Sequence, residues 1–261
     1  RMLALAGAPL GLRFRVVDTA DAACAGQVAP LLMADYTDFE ALEGFAREVD
    51  VVTFDFENVP ARSAEWLAER VAVFPNPKAL ALAQDRLAEK QLFVSLGMGT
   101  PTFHAVSTRV ELDAAIAAVG VPSILKTRRL GYDGKGQRRV DADGPLTEGE
   151  LAEEIVAFAR ELSVIAVRGR DGETRCWPVA ENVHRAGILR VSRAPAARAP
   201  QAEAEELVTR LLDDLGYVGV LALELFEVEG RLLANEFAPR VHNTGHWTID
   251  GAETSQFENH L

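Results

Sequence analysis

The sequence predicts an α/β unit followed by α+β units. Three observations predict it: apolar runs alternate with helical stretches through about residue 82, the pattern changes after prolines 75 and 77, and a long alternating hairpin lies near the end. Residues 2–11 read as a helix, 13–18 as a strand ending in an acid, 39–48 as a helix, 49–56 as a second strand and 61–70 as a helix. Such alternation implies a parallel sheet covered by helices. Residues 78–96 are helix-rich, and 97–101 break the pattern. A strand at 102–106, a helix at 110–119, a strand at 123–127, a glycine-rich loop and a strand at 137–140 follow. Several short strands span 162–191, and 201–215 is an amphipathic helix after an Ala/Pro-rich stretch. Residues 218–228 and 231–238 alternate as two strands joined at Glu229-Gly230, a hairpin signal.

Composition narrows the function. Lys and Arg number 27 against 39 Asp and Glu, a formal charge of −12, so the chain lacks the cationic surplus needed to coat nucleic acid. Cys24 and Cys176 form no CxxC pair, which points to neither a thiolate zinc site nor a disulfide framework and fits the cytoplasm. No apolar run reaches the roughly 18 residues of a membrane helix, and no signal peptide is visible. The chain opens at Arg1 and not at Met, which suggests a fragment.

Three constellations carry chemistry. Lys126 precedes Gly131-Tyr132-Asp133-Gly134-Lys135-Gly136-Gln137, whose glycines let backbone N–H groups approach an anion while lysines at either end supply charge. The glycines join two strands, so this is neither a Walker loop nor a dinucleotide fingerprint; a plain hairpin turn with incidental lysines is the alternative. Glu224 and Glu236 lie on the apolar hairpin. A three-residue connection sets them directly opposite; a two-residue connection opposes residue 224 to 235 instead. Facing carboxylates need compensation, and a divalent cation with Asn235 nearby and substrate phosphates would supply it. Acids facing solvent on an edge hairpin are the alternative. Finally, Arg240, His242, Asn243, Thr244 and His246 crowd one loop with donors suited to a carboxylate, carbonate or phosphate. Glu153 and Glu161 could flank a nucleotide, although composition alone makes them solvated helix acids. Glu57 follows a strand, where α/β sheets bind ligands, or belongs to a helix cap. Arg86, Lys90 and His184 are unremarkable in isolation.

Together, Lys126, the 131–137 loop, Glu224 and Asn235-Glu236 resemble the ATP-grasp fold, in which two α+β subdomains hold Mg-ATP. QDRLAEKQLF (84–93), GYDGKGQ (131–137), GYVGVLALELF (216–226) and NEFAPRVHNTGHWT (235–248) narrow the resemblance to the 5-(carboxyamino)imidazole ribonucleotide synthase family. It implies a Rossmann-like N-terminal domain lacking its first strand at 1–82, then an ATP-grasp domain at 83–261 with its smaller lid subdomain at about 100–155, with the family's C-terminal domain expected to be absent. It implies a ligase that forms a C–N bond, carboxylating 5-aminoimidazole ribonucleotide with ATP and bicarbonate through carboxyphosphate in purine biosynthesis.

By position, Arg86, Lys126 and the loop Gly131, Tyr132, Asp133, Gly134, Lys135, Gly136 and Gln137 would hold the ATP phosphates. Glu153, Glu154, Ile155 and Val156 would line the adenine, Glu161 would bind the ribose, and His184 would contact the nucleotide. Glu224 and Glu236 would hold magnesium, or manganese in its place, with Asn235 beside them. Arg240, His242 and Asn243 would cradle bicarbonate and carboxyphosphate, and His242 could manage protons. Glu57, Tyr132, Asp133, Lys135 and Arg240 would face the ribonucleotide. A homodimer is implied by the resemblance alone. Another ATP-grasp carboxylate–amine ligase and a non-catalytic nucleotide-binding remnant are the rival readings.

Overall fold

A computed structural model of the chain describes residues 1–129, 131, 136–140 and 149–261. The N-terminal unit runs α1 (Met2–Gly7), β1 (Val16–Asp18), β2 (Leu31–Met33), α2 (Phe39–Ala46), β3 (Val51–Val52), α3 (Ala61–Ala68), β4 (Ala72–Val73) and α4 (Pro77–Ala83). Local chemistry starts its helices. Asp38 accepts the Ala41 N–H at the head of α2, and Asn76 accepts the Ala79 N–H at the head of α4, with Pro77 in the first turn. Leu42, Phe54, Leu67, Val73 and Leu80 form its core. The strands are parallel, as the alternation predicts, yet β1 pairs with β2 and β3 with β4 as two separate ladders. The expected strand at 49–56 shrinks to two residues, because Thr53 turns its hydroxyl to His260 and the chain bends at 56–59. A cleft of about 490 Å³ is lined by both ladders, by Leu3 and Phe14, and by Leu42 and Leu67.

The middle of the chain contributes α5 (Arg86–Ser95), β5 (Phe103–Val106), α6 (Arg109–Val119), β6 (Ser123–Thr127), β7 (Gln137–Val140) and β8 (Glu150–Glu154). β5 to β8 make an antiparallel sheet in the order β5-β8-β6-β7. Thr108 and Glu111 form a capping box for α6, whose Leu112 and Ala115 pack on Val106, Leu125 and Ala152. At the mouth of the β6–β7 connection Gly136 takes φ +74°, and a Cβ there would collide with Thr127 Oγ1.

A larger antiparallel sheet follows: β9 (Arg160–Arg168), β10 (Thr174–Cys176), β11 (Ala180–Arg185), β12 (Ile188–Arg193), then α7 (Gln201–Leu215), β13 (Gly219–Val228) and β14 (Arg231–Ala238). Its order is β12-β11-β9-β13-β14, with β10 on β9. Strand alternation sorts the side chains. Leu221, Leu223 and Leu225 meet Leu207, Leu211 and Leu215 of α7, whereas Val220 and Ala222 face Leu3 and Phe257 on the other side. Glu224 continues that second row, so its carboxylate emerges where the apolar packing ends. Short α8 (Thr248–Gly251) and α9 (Gln256–Asn259) close the described fold. Among the described residues no helix is long and apolar enough to cross a membrane.

His260 ties the N-terminal unit to the large sheet. Its Nδ1 accepts the Val220 N–H at 3.1 Å, so the ring proton sits on Nε2 and donates to Thr53 Oγ1 at 2.7 Å. Burial pulls this imidazole down to about 4. Between that value and the ordinary 6.5 the unfolded chain binds the proton more readily, so stability falls as pH falls through this window. Denaturation followed from pH 7 downwards should show this loss, at most about 3 kcal/mol, and His260→Asn should flatten it. An unchanged slope in the variant would contradict the assignment.

Candidate active site

The hairpin resolves the choice left open by the sequence. Val228 pairs with Arg231, so Glu229-Gly230 is a two-residue connection, with φ of 49° and 78°. Glu224 nevertheless lies opposite Glu236, because a bulge next to Glu224 shifts the register and makes Asn235 the extra residue. Each alternative contributes half of the answer: the loop is the shorter one, and the carboxylates face each other through the bulge.

Their environments push the two carboxyls apart. Burial and the Glu236 charge raise Glu224 to about 8. Burial opposes ionisation of Glu236 too, but Arg86 and Lys126 outweigh it and hold Glu236 at about 2. Arg86 Nη1 donates to Glu236 Oε2 at 2.8 Å, and Glu236 keeps 40% of its side-chain surface exposed. Near neutral pH the pair therefore holds one charge and one proton. Asn235 Oδ1 is buried without a hydrogen-bond partner. Among the described residues no three His, Cys, Asp or Glu side chains form a metal cage. Two carboxylates and an orphan carbonyl oxygen suit magnesium, which completes its shell with water and phosphate oxygens.

On the four-stranded sheet, Lys126 Nζ of β6 donates to Glu153 Oε2 of β8 at 2.7 Å. Sequence reasoning assigns Lys90 no role and passes over Glu89, yet both are buried here. Their signal is spacing: Arg86, Glu89, Lys90 and Phe93 fall at i, i+3, i+4 and i+7 on α5, a face that meets β14. Lys90 Nζ donates to Thr100 Oγ1 at 3.1 Å and lies 3.7 Å from Glu153 Oε2. Glu153 stays below the usual carboxylate range although burial opposes it, because Lys126 and Lys90 flank it. Glu89 accepts the Phe237 N–H at 2.7 Å and is raised to about 8 by burial and by Glu236. Lys90→Met removes one partner of this buried group and should destabilise the chain by about 3–5 kcal/mol in urea denaturation. A loss below about 1 kcal/mol would mean that Lys90 does not support Glu153.

After β14, Arg240 grips Glu57. Its Nε donates to Glu57 Oε2 at 3.0 Å, its Nη2 lies 2.8 Å from the same oxygen as an ion pair, and its Nη1 donates to Val241 O at 2.9 Å. The His242 backbone is clamped by Gln256, which accepts the His242 N–H at 2.9 Å and donates to its carbonyl at 2.7 Å. Burial and the Arg240 charge pull the His242 ring down to about 3, so it is neutral. Nδ1 takes the Thr244 N–H at 3.4 Å and lies 2.9 Å from Thr244 Oγ1, which leaves the proton on Nε2, 3.5 Å from Glu224 Oε1.

The remaining residues divide. His184 Nδ1 lies 2.7 Å from Glu161 Oε2, and this bond raises the imidazole against the effect of burial. Both Glu153 and Glu161 stand on strands, so the helix-acid alternative is excluded. Glu154 accepts the Thr102 N–H at 2.9 Å, while Ile155 is exposed and Val156 half-buried in the connection into β9. Phe158 in that connection stacks on Phe226, with ring centres 4.8 Å apart. Gly136 accepts the Thr127 N–H at 2.7 Å, Gln137 sits opposite Lys126, and Gly131 is half-buried. Tyr132, Asp133, Gly134 and Lys135 lie outside the described residues. Asn243 is exposed and lines a separate cleft of about 390 Å³ with Arg190 and Trp247, apart from the Arg240 and His242 contacts.

Cationic Arg86 and Lys126, carried by separate elements and facing a carboxylate pair, have the charge pattern that a nucleotide with a divalent metal would need. Residues 91–257 match the family model described as the ATP-grasp domain, and residues 1–84 match the ribonucleotide synthetase preATP-grasp domain. The N5-carboxyaminoimidazole ribonucleotide synthase of Pseudomonas aeruginosa is 53% identical, the match covering 100% of this chain and 75% of that protein. The crystal structure of N5-carboxyaminoimidazole ribonucleotide synthetase from Thermus thermophilus superposes with a TM-score of 0.93 at 48% identity, covering 100% of this chain and 74% of that one. The Aspergillus clavatus N5-carboxyaminoimidazole synthase, in complex with ADP and 5-aminoimidazole ribonucleotide, gives 0.89 at 28% identity over 100% of this chain and 72% of that one. The chain belongs to the ATP-grasp proteins and, among them, to the N5-carboxyaminoimidazole ribonucleotide synthase family.

Proposed function

We infer that this chain is an ADP-forming ligase that uses ATP and bicarbonate to carboxylate the exocyclic amine of 5-aminoimidazole ribonucleotide, a step of purine biosynthesis. The observation that carries the reading to individual residues is the Glu224–Glu236 pair with Arg86 on it and Lys126 across from it. ATP would lie between the lobes, with its phosphates on Arg86, Lys126 and the glycine loop 131–137. Its base would rest along residues 153–156 and its ribose near Glu161 and His184. Glu224, Glu236 and Asn235 Oδ1 would hold magnesium, which when bound neutralises phosphate charge.

Bicarbonate is a poor electrophile, so its oxygen attacks the γ-phosphoryl group first and ADP leaves, giving carboxyphosphate. Arg240 offers a cation to that acid beside the site of transfer. Glu57 holds the guanidinium from the side and keeps it oriented. His242, neutral with its proton on Nε2, serves as a hydrogen-bond donor, since an imidazole at about 3 is a weak base. The ribonucleotide amine then forms the new C–N bond, the C–O bond to phosphate breaks, and the amine proton leaves with the phosphate. Glu57, Tyr132, Asp133 and Lys135 would face the ribonucleotide.

The division into an N-terminal domain at 1–82 and a nucleotide domain at 83–261, with its smaller lobe at about 100–155, belongs to the same proposal, as do a homodimer and the cytoplasm. Incubation with 13C-bicarbonate, MgATP and the ribonucleotide tests the reaction, with the N-carboxy carbon read by NMR. Label in the nucleotide supports it; label absent there while another acid is coupled would favour a different carboxylate–amine ligase.

A further inference from the structure

Gln84 and Asp85 form the break between α4 and α5, Arg86 opens α5, and each of the three faces a different part of the molecule. Gln84 Nε2 donates to the carbonyls of Glu57 and Val59 in the N-terminal unit, at 2.7 and 2.6 Å. Arg86 takes Glu236 on the large sheet. Asp85 reaches the smaller lobe, where its Oδ2 accepts Arg128 Nη2 at 2.6 Å and Arg129 Nη2 at 2.9 Å, and its Oδ1 accepts Arg128 Nε at 3.1 Å. Oδ1 also accepts the Leu87 N–H at 3.1 Å and so caps α5. The backbone tightens the same join: Arg86 N–H donates to Arg128 O at 3.0 Å, and Arg128 N–H to Gly149 O at 3.1 Å. Asp85 is 4% exposed, so the carboxylate end of the contact is buried, while the Arg128 and Arg129 side chains stay partly open to solvent.

Arg128 stands two residues beyond Lys126, directly after β6. Asp85 directly precedes Arg86. One carboxylate thus joins the end of the strand that carries one phosphate-binding cation to the start of the helix that carries the other. We propose that Asp85 is a positioning residue of the nucleotide site, whose hold on Arg128 and Arg129 fixes Lys126 relative to Arg86 and Glu236. The proposal rests on the reading that ATP binds between these groups. Its chemistry is geometric: a ligand spanning two lobes binds best when the lobes already stand at the required separation.

Asp85→Asn tests it. The amide keeps the size and the capping oxygen but loses the charge that holds two guanidinium groups. Arg128→Gln tests the same join from the other lobe and leaves Asp85 with Arg129, in case Asp85→Asn does not fold. Each single variant should raise the KM for MgATP and the Kd for MgADP about tenfold, with kcat lowered less than about threefold. Residues acting as one unit give non-additive effects, so the double variant should be within about twofold of the worse single one. A wild-type KM and Kd in both single variants, or fully additive losses in the double one, would overturn the proposal. A larger fall in kcat than rise in KM would also overturn it, because it would place the effect on the chemical step. Should the unaltered chain bind no MgADP and release no phosphate, the nucleotide reading itself fails and takes the proposal with it; that result is read before any variant is made.

Discussion

Glu236→Gln is expected to reduce ATP turnover about a thousandfold or more while the chain stays folded. Glu236 is the ionised member of the carboxylate pair, held at about 2 against burial by Arg86 and Lys126. A glutamine keeps an oxygen that can accept the 2.8 Å bond from Arg86 Nη1, so the junction of α5 and β14 survives. What disappears is the charge that a magnesium ion bound to a nucleotide requires. Glu224 would lose the neighbouring charge that helps to raise it, though burial, the larger cause, remains. Initial rates of phosphate release, paired with thermal melts, read both effects. Undiminished turnover in a folded variant would contradict the metal assignment.

Arg240→Met should act on the acid and spare the nucleotide. Arg240 is set by a hydrogen bond and an ion pair to one oxygen of Glu57 and by a hydrogen bond to its neighbour's carbonyl, so its guanidinium is already oriented when a small anion arrives. Removing it should lower kcat/KM for bicarbonate by about a hundredfold to a thousandfold, with the Kd for MgADP changed by less than about twofold. Titration calorimetry with MgADP and rates at varied bicarbonate separate the two quantities. An unchanged bicarbonate dependence would show that Arg240 does not hold that acid.

The secondary structure of the nucleotide unit is legible because its signals are local. The 201–215 helix has the bounds read from the sequence, since it carries an unbroken apolar period, and so does the 123–127 strand, set off by Pro122 before it and the glycine-rich loop after it. The strand at 49–56 is shorter than its text. Its apolar run continues past Val52, but Thr53 is diverted to His260, a partner 207 residues away that no local pattern reveals. The carboxylate pair is legible as chemistry and undecided as geometry, because its register depends on Asn235 being bulged out. Glu89 and Lys90 are harder still. On a helix of ordinary composition they look solvated; their spacing with Phe93 puts them on one face of α5, but it takes the packing of that face on β14 to show that both are buried. The join at Asp85 likewise spans 43 and 44 residues of sequence to Arg128 and Arg129. Side chains that bridge lobes are specified by tertiary geometry, which composition and spacing do not encode.

The carboxylating ligase reading is tested most directly by phosphate release from MgATP and bicarbonate, measured with and without 5-aminoimidazole ribonucleotide. Release should be strongly stimulated by the ribonucleotide, abolished in Glu236→Gln and dependent on bicarbonate through Arg240. Release indifferent to the ribonucleotide, or stimulated only when another carboxylic acid replaces bicarbonate, would contradict it.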